Sequence, residues 1–436
     1  MKIILVTNKN WIASPFLRAR NACPRKSEEP ISHPPFSRGH ALRGAQALKQ
    51  SRKFLVSFMM GLLSLLSLMT LNAHALKVYL LSNHTNVGDH NQLLGIATAF
   101  EKLSVQHSQV EDLNTKTTTP AQIKAKIESD LHREKIIVVG SGEGGIEGIK
   151  DLSANPNLTI CLTSHMFLEG YKDPSLLEKV NFIALPIHVS AAIKDKLGTK
   201  LIETTGVAHN RQPEAADQAY AEWGQKELPG CKTYLGVVLG GDAPVPGPSK
   251  DIKLFTEEDA THLANYVAQN ADDACILVLN GPRTGKYDSE KKEIMTVHRN
   301  GNSDRITELF QKKLAALGVE NVKVMDFQHG SQTPYNSFDL ALGAVKATYG
   351  KMVVPGESTS MVSEAIDTLS PGQVLVYENS AMNKVHQAHI ASELAAGRVS
   401  VLKNYQTVEA PQSTEGKPSS SAADTIANKL WETVKR

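Results

Sequence analysis

The sequence predicts two α/β lobes with a cleft between them, on three observations. A chain of 436 residues is longer than one ordinary hydrophobic core accommodates. From Leu76 onward, strand and helix signals alternate, the pattern of parallel sheets joined by crossover helices. Four clusters of glycine and polar residues directly follow apolar, strand-like runs, where open α/β sheets bind ligands.

The elements follow in order. Leu76-Lys-Val-Tyr-Leu-Leu reads as a buried first strand, and Gln92 to Leu103 has helical spacing. Lys135-Ile-Ile-Val-Val-Gly is a second clear strand, followed by a glycine-rich turn. Leu158 to Leu162 and Phe182 to Pro186 are shorter strands, and Leu201-Ile-Glu-Thr-Thr closes the first lobe. The polar stretch 212–232 is the expected linker. The second lobe opens with Thr233-Tyr-Leu-Gly-Val-Val-Leu. Thr256 is placed to cap a helix with acids in its first turn. Strands are expected at Cys275 to Leu279, Val322 to Met325 and Lys351 to Val354. Ala422 to Arg436 reads as a final amphipathic helix after a flexible Ser/Pro/Gly-rich connector. The expected domains are thus 76–230, an acceptor lobe; 231–409, a donor lobe; and 410–436, connector and helix.

The N-terminus has a different character. Residues 1–75 hold 11 Lys+Arg against 2 Asp+Glu, whereas the remaining 361 hold 36 against 43. An acidic body argues against a nucleic-acid partner. Arg52-Lys53, an uncharged run from Phe54 to Leu71 and Ala73-His-Ala75 have the order of a secretory signal. Residues 49–75 are therefore expected to export the chain, with membrane attachment only if the segment stays uncleaved. Residues 1–48 show no sustained period and are unassigned, or are a start extended upstream of an initiator nearer Lys49. Of the four cysteines, Cys161 and Cys275 sit in apolar runs and read as buried free thiols, with a disulfide as the alternative in an exported protein.

The four clusters carry the candidate chemistry. Asn86-Val-Gly-Asp-His-Asn-Gln92 places Asp89 at a helix start, as a general base or as a plain capping residue. Gly140-Ser-Gly-Glu-Gly-Gly145 matches G-x-G-x-x-G, but the next strand ends in Thr163-Ser164 rather than in a ribose-binding acid. A close-approach turn is expected there instead of a dinucleotide. Gly240-Gly241-Asp242 and Asn280-Gly-Pro-Arg283-Thr284 follow two strands of the second lobe. Their backbone amides suit an anion, and Arg283 can neutralise a phosphate in two-toothed fashion. Glu357-Ser358-Thr359-Ser360 ends a strand and opens a helix, where dipole, amides and hydroxyls suit a diphosphate. Glu364, one turn on, is placed for ribose hydroxyls; the simpler reading is a serine N-cap with a capping acid. His165, His188, His209 and His329 lie near strand ends, without H-x-H or H-x-x-x-H spacing, so no metal is expected.

In order and spacing, several segments resemble the mitochondrial-fission "elongated mitochondria" family, whose bacterial members are GT-B-type glycosyltransferases. They are Gly88-Asp-His-Asn-Gln-Leu-Leu-Gly, Leu185-Pro-Ile-His188, Thr205 to Arg211, Gly240-Gly-Asp242, Phe255 to Ala260, Arg283-Thr284 and Glu357 to Ala365. The resemblance implies two Rossmann-like lobes, with the donor nucleotide in the second and the acceptor facing the first. It makes Ser358, Ser360 and Glu364 donor contacts, with Arg283 near the phosphates. Val189 stands where the family continues with Asp. The expected function is glycosyl transfer from a nucleotide-activated sugar, with Asp89 or His188 as base, no cofactor, and Gly241, Asp242, Arg283, Thr284, Ser358, Thr359, Ser360 and Glu364 around the donor. The alternative is an exported, non-catalytic, two-lobed binder of a polar small molecule.

Overall fold

The computed structural model describes residues 76–103, 108–166, 168–245, 251–295, 303–327, 333–404, 406–411 and 420–435. The expected signal segment, residues 1–48, His329 and most of the 410–421 connector lie outside them. No helix among the described residues is long and apolar enough to cross a membrane.

The first lobe runs β1 (Leu76–Ser82), α1 (Val87–Leu103), β2 (Ser108–Asn114), α2 (Pro120–Leu131), β3 (Lys135–Ser141), α3 (Gly142–Gly148), β4 (Leu158–Thr163), α4 (Pro174–Lys179), β5 (Phe182–Pro186), α5 (Ile187–Ser190), α6 (Lys194–Leu197) and β6 (Leu201–Thr204). Its six strands lie in the order β2-β1-β3-β4-β5-β6, all parallel. Both faces of the sheet are covered, so strands such as Ile136-Ile-Val-Val139 are apolar on both sides and fully buried.

The second lobe runs α7 (Pro213–Glu227), β7 (Tyr234–Val238), β8 (Ala243–Pro244), β9 (Ile252–Lys253), α8 (Glu257–Asn270), β10 (Cys275–Leu279), α9 (Arg305–Ala316), β11 (Val322–Met325), α10 (Ser337–Ala347), β12 (Lys351–Pro355), α11 (Thr359–Thr368), β13 (Val374–Tyr377), α12 (Lys384–Ala395), β14 (Ser400–Lys403) and β15 (Gln406–Val408). A last helix, α13 (Ala422–Val434), follows. The sheet order is β11-β10-β7-β12-β13-β14-β15, parallel except for the β15 edge. Leaving β15 aside, this is the dinucleotide-fold order 3-2-1-4-5-6. Two Rossmann-like lobes facing each other across a cleft form the GT-B-like arrangement the sequence predicts.

Two expectations change, the linker and the Cys275 thiol, and the final helix finds its place. The stretch 212–232 is not a linker: Pro213 opens α7, which packs through Ala216 and Ala219 into the second lobe's core. The chain therefore changes lobes at residues 205–212. The final helix returns to the first lobe, where Ala423, Ile426, Ala427 and Leu430 pack with Ile96 and Phe100 of α1. Cys275 is not a free thiol but is bonded to Cys231, with Cα atoms 6.0 Å apart, tying the start of β10 to the segment before β7. Cys161 remains free and buried, and burial pushes its thiol up to about 12.

Helices α7 and α10 approach so closely that a Cβ on Gly343 would lie 2.1 Å from the Ala216 carbonyl oxygen. Gly343→Val is therefore expected to lower stability by about 1–3 kcal/mol or more. Urea unfolding followed by circular dichroism measures it, and an unchanged midpoint would refute this packing.

Candidate functional site

Open α/β sheets bind ligands where neighbouring strands send their crossovers to opposite faces. In the second lobe that switch point lies between β7 and β12, and in the first between β1 and β3. All four clusters singled out in the sequence line these two points.

At the second-lobe switch point, the turns after β7 and β10 are zipped together. The Asp242 amide donates to the Arg283 carbonyl at 3.0 Å, and a Cβ on Gly241 would lie 2.9 Å from the Arg283 Cβ. Several expected donor contacts are engaged in holding these turns. Glu357 accepts from the Gly241 amide at 2.7 Å and from Asn379 Nδ2 at 2.5 Å. Burial pushes its carboxyl above the usual range, against those two bonds. Asp242 is buried and accepts from the amides of Phe255 and Tyr287, both at 3.0 Å. Thr284 is buried and accepts from the Gly281 amide at 3.0 Å. Gly241, Asp242 and Thr284 therefore shape the loops instead of offering free donors.

Arg283, Ser358, Thr359 and Ser360 are different. The Arg283 side chain is exposed and forms no ion pair among the described residues. Ser358 occupies the N-cap position of α11 without a side-chain capping bond, so the N-cap reading of its hydroxyl does not hold. The three hydroxyl residues are half-buried at that helix start.

Glu364 is ion-paired. Arg211, on the segment that changes lobes, donates Nε to Glu364 Oε2 at 2.7 Å and pairs with Asp339. The same segment is fastened three more times. The Val207 amide donates to Ser363 Oγ at 3.0 Å, His209 Nε2 meets Asp367 Oδ2 at 3.1 Å, and Arg398 donates to the Thr205 carbonyl at 3.1 Å. Gly206 takes a left-handed φ of 78° there, where a Cβ would press on Ser363 and Glu393.

Asp89 lies at the first-lobe switch point, in the first turn of α1. It accepts from Asn86 Nδ2 at 2.5 Å, and His165 Nδ1 lies 3.8 Å from its Oδ1. Gly142 leaves room for it: with φ 63°, a Cβ there would sit 2.1 Å from Asp89 Oδ2. Burial raises the Asp89 carboxyl, and His165 opposes the rise. Burial lowers His165, whose Nδ1 lies 3.1 Å from Gln92 Nε2.

Across the cleft, His188 at the start of α5 meets His389 of α12 in a tilted ring contact, with centroids 4.8 Å apart and planes at 54°. Among the described residues, neither buried His188 nitrogen has a side-chain hydrogen-bond partner. Burial and the neighbouring imidazoles of His389, His165 and His386 lower His188 to about 3. Burial first, then Arg283, lowers His386 to about 4. A line of groups thus runs from Asp89 through His165 and His188 to His386 and Arg283. The sequence reading named its two ends, His165 and His188 but missed the second-lobe histidines. Their spacing, His386-x-x-His389, shows only that they share one helix face.

Among the described residues, one group has ligand atoms close enough to share a metal: His84, His90 and Asp112. No metal was expected from sequence, because the histidines are six positions apart and the carboxylate comes from the next strand.

No protein-family model and no curated protein matches the sequence. Among solved structures, the chain is similar to the UDP-GlcNAc 2-epimerase from Neisseria meningitidis bound to UDP-GlcNAc. The identity is 9% and the TM-score 0.42, over 83% of this chain and 91% of that one. It is also similar to the UDP-GlcNAc 2-epimerase from Methanocaldococcus jannaschii, at 10% identity and a TM-score of 0.39, over 82% and 99%. MurG from Acinetobacter baumannii matches at 11% and 0.35, over 83% and 91%. No residue's role follows from these likenesses.

Two predictions follow from this geometry. Arg211→Met leaves two largely buried carboxylates uncompensated and is expected to cost about 3 kcal/mol or more; an unchanged denaturation midpoint would count against the junction. His188 and His386 have folded-state values below their ordinary 6.5, so the unfolded chain binds more protons below that pH. Their contribution is intact above about pH 6.5 and is lost as pH falls toward 4 and then 3. Melting temperatures from pH 7.5 to 5 should fall less in His188→Gln than in the parent, and parallel curves would contradict the assignment.

Proposed function

We propose that the chain transfers a glycosyl group from a nucleotide-activated sugar, with the donor diphosphate bound at the second lobe's switch point. One observation carries this reading. An exposed arginine, Arg283, and a helix N-terminus whose N-cap hydroxyl, Ser358, makes no capping bond, with Thr359 and Ser360 beside it, share that point. Guanidinium, helix dipole and hydroxyls are what a leaving diphosphate needs as negative charge builds on it. Gly241, Asp242, Thr284 and Glu357 support the site by holding its loops, and Glu364 supports it by anchoring the lobe junction.

The acceptor hydroxyl attacks the anomeric carbon, the bond from that carbon to the diphosphate oxygen breaks, and the hydroxyl proton passes to a base. Asp89 and His188 are the candidates. The raised carboxyl of Asp89 suits proton acceptance near neutrality, whereas burial holds His188 at about 3 and makes it the weaker base. Export through residues 49–75 belongs to the same reading.

Thermal-shift titration of the full-length protein with nucleotides and nucleotide sugars tests the donor site. The melting temperature is expected to rise with one nucleotide family, and the apparent affinity to drop about tenfold or more in Arg283→Gln. No response to any nucleotide would sink the proposal. Saturable binding without release of nucleotide when candidate acceptors are supplied would instead identify a non-catalytic binder.

A further inference from the structure

We infer that His84, His90 and Asp112 form a binding site for a divalent transition-metal ion of the zinc type, separate from the donor site. The three side chains come from three elements that strand pairing brings together. His84 lies in the turn leaving β1, His90 in the first turn of α1, and Asp112 in β2, where it is paired in register with Leu80 of β1. His84 Nε2 is 3.0 Å from Asp112 Oδ1 and His90 Nε2 is 3.5 Å from Asp112 Oδ2, and all three ligand atoms lie within 4.8 Å of one another. Ligand atoms about 2.0–2.1 Å from a tetrahedral zinc sit roughly 3.3 Å apart, so small side-chain adjustments would centre an ion among them.

The surroundings are those of a held site. His90 Nδ1 lies 3.4 Å from the hydroxyl of buried Ser82. When that nitrogen carries the proton, Nε2 presents its lone pair toward Asp112, the way outer contacts orient metal-bound histidines. The turn carrying His84 is fixed by its amide donating to Asn114 Oδ1 at 3.3 Å and by the Asn86 amide donating to the Asn83 carbonyl at 2.8 Å. The imidazole rings stand 4.1 Å apart, at 41° to each other. Histidine nitrogens with one carboxylate favour zinc, copper or nickel over calcium or magnesium. Three protein ligands at a partly exposed position leave a fourth for water or a substrate oxygen. His90 follows Asp89 directly, so an ion here would also stiffen the turn that carries the proposed base.

The test uses full-length protein freed of metal by chelator dialysis, then titrated with Zn2+ against a chromophoric competitor and, in parallel, with Co2+ by visible absorption. One equivalent of Zn2+ is expected to bind, with an intense tetrahedral-type Co2+ band. His90→Gln and Asp112→Asn should each weaken uptake by tenfold or more, and His262→Gln, on α8, should leave it unchanged. The three ligands are partly exposed, so the variants are expected to keep the parent's far-ultraviolet circular dichroism. As a second measurement, Zn2+ should raise the melting temperature of the parent but not of Asp112→Asn. Absence of saturable uptake, or uptake that persists in both ligand variants, overturns the inference. Neither result touches the donor-site proposal, whose residues lie in the other lobe.

Discussion

The structure depends on how its crossover segment, residues 205–212, is locked onto the second lobe. Charges buried in a protein interior are stable only when paired. Here Arg211 sits between Glu364 and Asp339, and Arg398 lies between Asp367 and the fully buried Glu393. These partners lie on α11, on α10, and at or just after α12, so the junction couples the first lobe's exit strand to three elements of the second. The return crossing is fastened by different means, through apolar packing of α13 on α1. One crossing is ionic and specific in geometry, whereas the other is hydrophobic and tolerant of small shifts. The asymmetry makes the first crossing the fixed point about which the two switch points face each other.

That fixed point also explains the fate of Glu364. As a sequence feature it belongs to the hydroxyl-rich turn one helical step upstream and reads as part of a nucleotide site. In three dimensions it points toward the chain entering from the other lobe, and its partner lies 153 positions away. A helix displays several faces within one turn, and sequence spacing does not say which face meets the ligand and which the neighbouring lobe. Ser358 and Ser360 lie at the N-terminal end of α11, Ser363 and Glu364 at the junction.

Much of the fold was legible because parallel strands buried on both faces leave continuous apolar runs, as in Ile136 to Val139 and Cys275 to Leu279. The strand ends were legible too, because glycine and hydroxyl residues are otherwise poor continuations of such strands. Strand order was not: β7 lies between β10 and β12 only because successive crossovers run to opposite faces, which no local pattern encodes. Pairings over long separations were hidden for the same reason. The Cys231–Cys275 bridge, the contact of His188 with His389, and the meeting of His84, His90 and Asp112 all depend on elements brought together by the sheets. The stretch 212–232 was misread because its exposed helix face is polar, while small residues such as Ala216 and Ala219 carry the packing and give little hydrophobic signal.

The cleft's electrostatics connect these observations. His188 and His386 stay neutral because burial and neighbouring positive groups disfavour their charged forms, and Arg283 is one of those groups for His386. A diphosphate bound beside Arg283 would reverse that balance. Its negative charge would offset the guanidinium and favour a protonated imidazole on the second lobe, so that donor binding and proton uptake become linked. The first lobe has the opposite polarity: Asp89 is pushed toward its neutral form by burial, and His165 restores part of its acidity. A proton leaving an acceptor hydroxyl at Asp89 and a charge arriving on the diphosphate at Arg283 would thus be balanced through the imidazoles between them. Under the proposed function, the buried histidines would be the medium through which the two lobes sense each other's charge, a role that ordinary packing residues could not perform.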